Sequence, residues 1–207
     1  MKCPYCEKEI QDNSVFCYEC GEQIYLSVEI SDAAGIIASA VYWHMYSGNM
    51  ENGDINRLKL AYMRLEDREI KGACEVFEKL LEENAENGWA HFGLFLADQM
   101  ENGRGKFVPD IIYDNNSYTR GARFEGEQFK SIVDEAIKEV FYQSGLKAMK
   151  EIEEPQEYIT IARTFRDKLD GYKDSGAQSR NCEYLYNKFF YDEYIAEAAT
   201  ADTEEKL

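Results

Sequence analysis

Residues 129–141 read Phe129-Lys130-Ser131-Ile132-Val133-Asp134-Glu135-Ala136-Ile137-Lys138-Glu139-Val140-Phe141. An α-helix turns once in about 3.6 residues, and the seven apolar side chains recur at that period, so all of them share one face. Lysine and carboxylate side chains fill the other face, which is the pattern of a helix half sunk in a core. Ile70, Ala73, Cys74, Phe77, Leu80 and Leu81 repeat the stripe upstream, and Tyr158, Ala162, Phe165 and Leu169 repeat it downstream. Strand-type alternation is nearly absent beyond residue 30. The chain is predicted to be mainly α.

The punctuation between stripes sets the helix limits. Ser31 followed by Asp32 is a plausible N-cap for a helix running to Tyr46, which Ser47-Gly48-Asn49 stops. Asp54 is placed to cap a helix over 55–65, and further helices are predicted over 70–81 and 89–100. Residues 101–116, with Gly103, Gly105 and Pro109, are turn-rich. The helix containing Phe129 extends back to about Ser117. Pro155 opens the next helix, Gly171 ends it, and the last one starts near Asp174 and packs through Cys182, Leu185, Tyr186 and Phe189. In the long loop, Ile111 and Ile112 are expected to fold back on the helices, leaving Phe107 nearer the surface as a candidate contact.

Residues 1–24 follow different rules. Cys3-Pro4-Tyr5-Cys6 and Cys17-Tyr18-Glu19-Cys20 are paired CxxC turns with ten residues between them. Thiolates suit zinc, which takes four ligands in a tetrahedron, and each CxxC turn offers two sulfurs to one side of the ion. A segment with so few apolar residues also needs a staple to fold. A redox dithiol, a disulfide pair and an iron–sulfur cluster are the competing readings, and the helix-opening βαβ context of a redox CxxC is missing. Cys3, Cys6, Cys17 and Cys20 are therefore expected to hold one structural Zn2+, since four cysteines leave no open position for a reacting water. Cys74 and Cys182 lie on apolar stripes and read as buried packing residues. His44 and His91 sit among apolar neighbours with no partner motif.

The 207 residues carry a formal charge of −17, with 14% aromatic residues and three prolines. Aromatic content at this level argues against disorder. Such an acidic chain is repelled by nucleic-acid backbones and anionic membranes. The cysteine segment shares that sign: Lys2 and Lys8 face Glu7, Glu9, Asp12, Glu19 and Glu22. No P-loop, GxGxxG, GxSxG or HExxH motif occurs. The N-terminus does not have the form of a signal peptide, and Ala33–Tyr46 falls short of the roughly 20 apolar residues that span a bilayer. The expectation is a cytoplasmic, non-enzymatic chain whose partner is another protein. Nucleic-acid or transcription-associated binding through the cysteine module is the alternative.

CPYCEKEI and FCYECGEQI resemble the short zinc ribbons at the N-termini of many bacterial proteins, of the form CPxCGxxI…FCxxCGxxI, with Glu7 in place of a glycine. Ala85 through Gly93 is similar to the junction between two tetratricopeptide-type repeats, with Ala73, Phe77 and Leu80 as packing residues of the preceding helix. Gly171, Tyr172, Asp174 and Ser175 match an LGDYKDS element of bacterial helical-repeat proteins. The resemblance implies a ribbon with a small β component over 1–24 and a linker or last ribbon strand over 25–30. It further implies irregular TPR-like stacked hairpins over 31–198, with an acidic tail over 199–207, and it implies a scaffold with no catalytic residues.

Overall fold

The computed structural model describes residues 3, 6, 8–10, 17–21, 26–48, 54–152 and 155–204. Eight α-helices fall within them: α1 (Ile30–Tyr46), α2 (Ile55–Glu66), α3 (Ile70–Glu83), α4 (Gly88–Asn102), α5 (Asp110–Tyr113), α6 (Asn116–Ala148), α7 (Pro155–Arg163) and α8 (Ser175–Glu204). A π-helical turn, Thr164–Lys168, continues α7. The described residues form no strand; they include an isolated antiparallel bridge between Glu29 and Lys106, and Glu9 also lies in a bridge. Most positions where ribbon strands were expected lie outside the described residues. No helix among those described is long and apolar enough to cross a membrane.

The chain divides into two compact units, Ser27–Val140 and a second one made of Met1–Leu26 with Phe141–Leu207. In the first unit α1 packs on α2, α2 on α3, α3 on α4 and α4 back on α1. Ion pairs at the helix ends mark the alternating directions of these helices. Arg68, just after α2, meets Asp32 at the start of α1 (3.7 Å), and Arg57 at the start of α2 meets Glu83 at the end of α3. The predicted stripe of α3 is its packed face, with Ala73, Phe77 and Leu80 buried; on α1 the buried residues include Ile37, Val41 and Met45. Tyr62 is fully buried, and its hydroxyl donates to the Trp89 carbonyl at 2.9 Å. Burial pushes its pKa well up, so the hydroxyl stays a donor.

Three local expectations change. Glu29, rather than Ser31, occupies the N-cap position of α1 and makes no side-chain cap bond. Asp54 occupies the N-cap position of α2 but makes no side-chain cap bond, whereas Asn87 caps α4, its side chain accepting from the Ala90 N–H at 3.0 Å. The helix expected to run unbroken from Ser117 breaks at Gly126, whose φ of 71° and ψ of −149° are open to glycine alone. The break lets the leading part of α6 return on the rest: Tyr118 lies 5.6 Å from Phe129, and a Cβ on Gly121 would meet that ring. Phe129 also receives Trp89 (4.7 Å) and Phe92 (5.2 Å), so it centres an aromatic cluster between α4 and α6.

Glu125, the residue before the break, uses this geometry. Its Oε1 accepts from the Gly88 N–H at 2.9 Å, which places a carboxylate on the positive end of α4. Replacing Glu125 with Gln keeps an acceptor but removes the charge, and is expected to cost about 1 kcal/mol. Replacing it with Ala strands the Gly88 N–H and should cost about 2 kcal/mol. Urea denaturation of both variants reads this order. Equal midpoints for wild type and Glu125→Ala would show that the contact contributes nothing.

The segment after α4 is better built than its composition suggests. Phe107 N–H donates to Val28 O at 2.7 Å, Ile30 N–H donates to Gly105 O at 3.1 Å, and α5 follows. Phe107 is thereby buried, at 6% exposure; Ile112 is buried as well and Ile111 is half-buried. It is not a surface contact. An extended segment paired to residues 28–30 turns that side chain inward.

In the second unit α8 packs on α7 and on the π-helical turn. The GYKDS element works much as the resemblance implied. Gly171 adopts φ 70°, Tyr172 packs edge-on to Tyr142 at 6.0 Å, and Lys173 lies over both rings. The Ser175 hydroxyl is buried and donates to the Leu169 carbonyl at 2.6 Å. Asp174 accepts from Tyr142 Oη at 2.6 Å and from Gln178, bonds that hold its carboxyl below the usual range.

Candidate metal centre

Local backbone shapes the cysteine site. The Cys3 N–H donates to Lys8 O at 2.9 Å, closing the turn after the first pair. After the second pair Gly21 takes φ 75° and returns its N–H to Cys17 O at 2.7 Å. A side chain there would strain the left-handed conformation that leads the chain away from the site.

The four sulfurs converge. Cys3 Sγ lies 3.8 Å from Cys20 Sγ, Cys6 Sγ lies 3.6 Å from Cys17 Sγ, and all four fall within 4.8 Å of one another. Zinc–thiolate bonds of about 2.3 Å in a tetrahedron require sulfurs about 3.8 Å apart, so the donor set fits the ion in both number and spacing. None of the four is in a disulfide. Cys3 and Cys17 are buried, Cys6 is half-buried and Cys20 is exposed. Backbone N–H groups of Cys20, and then of Glu19, pull the Cys17 thiol down to about 7, which favours the thiolate a metal needs. This is a site for one structural zinc ion.

Ile10 packs with Cys3 and Cys17, with Cys6 against them, to form the small apolar cluster of the module. Beyond it, the Leu26 N–H donates to Thr164 Oγ1 at 3.0 Å, and that hydroxyl donates in turn to Thr160 O. Thr164 opens the π-helical turn, and the wider turn carries its hydroxyl while Phe165 beside it stays buried. The chain leaving the metal module is thus tied to the helix α7 of its own unit.

The other singled-out residues stay apart from this centre. Cys182 is fully buried, and burial pushes its thiol up to about 11. Cys74 is half-buried and also raised, first by burial and then by Glu78. His44 Nε2 meets Glu135 at 3.2 Å, whereas His91 Nε2 meets the Ala85 carbonyl at 2.9 Å. The two histidines therefore serve separate packing contacts.

Sequence reasoning missed the exposed aromatics. Trp43 and Tyr46 lie off the buried stripe of α1, with ring centroids 5.6 Å apart. Their register relative to Ile37, Val41 and Met45 is the signal that could have placed them outside.

Residues 2–24 match the zinc-ribbon domain family. No curated protein and no solved structure matches the chain.

Proposed function

We propose that this chain is a non-enzymatic protein–protein interaction module, in which a zinc-stapled ribbon is joined to TPR-like helical hairpins that present aromatic surface to another protein. The observation that carries the proposal is the exposure of Trp43 (56%) and Tyr46 (62%) on α1, together with exposed Leu60 and Met63 on the helix α2 that packs against it. Glu66 Oε1 accepts from both Trp43 Nε1 (3.3 Å) and Ser39 Oγ (2.8 Å), so the indole is held in place while more than half of the residue stays exposed. Oriented aromatics on a folded surface are the usual anchors of protein contacts. The pairing of α1 with α4 makes the first four helices a closed group, so the TPR-like character lies in the packing residues Ala73, Phe77 and Leu80 and in the Trp89 junction. Reduced thiols at the zinc site support a cytoplasmic location. A charge of −17 supports a partner that is neither nucleic acid nor anionic membrane.

Full-length tagged protein, isolated from its own cells after nuclease treatment, should retain a protein partner in constant ratio. Recovery of nucleic acid without protein, released by salt, would reverse the assignment in favour of transcription-associated binding through the ribbon.

A further inference from the structure

Helix α8 is 30 residues long, whereas α7 and the π-helical turn it packs on supply 9 and 5. At about 1.5 Å per residue, α8 spans roughly 45 Å against roughly 21 Å of partner. Two contacts set the register: Ser175 Oγ donates to Leu169 O at 2.6 Å and Ser179 Oγ donates to Ala162 O at 3.0 Å, so the two segments run in opposite directions. This places Pro155, where α7 begins, opposite about residue 187 of α8. The buried stripe of Ser175, Ser179 and Cys182 continues along the same face to Tyr186 and Phe189. There it passes beyond its cover.

The uncovered portion is aromatic. Phe189, Phe190, Tyr191 and Ile195 are all between 47% and 64% exposed. Phe190 packs edge-on against Tyr186 (4.9 Å) and Phe189 (5.7 Å), so the rings support one another. A cluster of this kind on a soluble helix marks a contact surface.

Charge selects the occupant. From Glu183 to the C-terminus the chain has seven carboxylates and two lysines, with Asp192 and Glu193 exposed beside the rings. A second copy would bring the same negative field, as would an anionic membrane or a nucleic acid. A cationic segment gains on both counts: its apolar side covers the rings and its Lys or Arg residues meet the carboxylates. We infer that the aromatic overhang of α8 docks a basic amphipathic helical segment of a partner protein. This rests on the protein-binding function proposed above and names the chemistry of the partner.

The test uses the full chain and two labelled helical peptides, one of leucine and lysine and its counterpart with glutamate for lysine. Fluorescence anisotropy should show binding of the lysine peptide that weakens with salt, and no binding of the glutamate peptide. F189S/F190S should weaken it by about tenfold. D192K/E193K, which keeps the rings, should also weaken it, with circular dichroism confirming that both variants remain helical. Equal affinity in wild type and both variants, or equal binding of the two peptides, would overturn the inference. So would a concentration-dependent dimer in sedimentation, or binding to phosphatidylserine vesicles, if either is lost in F189S/F190S. A cellular partner that F189S/F190S still retains leaves the protein-binding function standing and removes this site from it.

Discussion

Stripping the metal with a chelator unfolds the ribbon and leaves the four-helix group of α1–α4 folded. Elemental analysis of protein purified without added metal should give close to one zinc per chain, and Cys17→Ser close to none. The apolar cluster of the module contains only Cys3, Ile10 and Cys17 with Cys6 against them, far too little to offset the entropy of ordering the segment. Structural zinc bound by thiolates supplies about 10–16 kcal/mol, so the folded ribbon depends on it. Ser27–Val140 has its own core and needs nothing from the metal. The second unit is different, because the Leu26 N–H donates to Thr164 Oγ1 at the start of the π-helical turn. Hydrogen exchange of the chelated protein should therefore lose protection in the ribbon, speed up in α7 and α8, and stay unchanged in α1–α4. A protected ribbon in metal-free protein would contradict the assignment of the site. A global loss of helical dichroism would show that the two units share one cooperative core.

Gly93→Ala should lower the thermal midpoint by about 10 °C, the shift that about 3 kcal/mol produces in a domain of this size. Helix propensity alone predicts the opposite sign, since Ala is favoured over Gly by about 1 kcal/mol in a helix interior. Packing reverses it. A Cβ on Gly93 would overlap the Phe77 ring at Cζ. Phe77 is fully buried and edge-on to Tyr62 at 5.2 Å, and Tyr62 is itself bonded to Trp89 O. The added methyl must push α3 and α4 apart or distort that chain of contacts. Pairing it with Phe77→Leu should recover part of the loss, which a general helix defect would not. A midpoint equal to or above wild type for Gly93→Ala would show that propensity outweighs the clash.

The zinc site was legible because its information is local. Two CxxC turns carry their geometry within four residues each, and Gly21 marks where the chain leaves. The stripes of α3 and α6 were legible for a similar reason: helical periodicity repeats every turn, so Ala73, Phe77 and Leu80, like Phe129, Ile132 and Val133, announce their buried face wherever the helix ends up. The break at Gly126 was not, since the apolar pattern carries on across it. It is decided by distant partners: Gly88, which takes the Glu125 carboxylate, and the cluster of Trp89 and Phe92 on Phe129.

Sequence by itself determined a mainly helical chain with a four-cysteine module at its start, because ligand spacing and amphipathic period are short-range properties of the polymer. Tertiary structure alone decided that Phe107 is buried, through its backbone pairing with Val28, and that Leu26 is anchored to Thr164. It also decided that Phe189, predicted to pack, is left uncovered by the shorter α7. Each of these depends on which segments meet across long stretches of chain, and burial is a property of that meeting rather than of the residue.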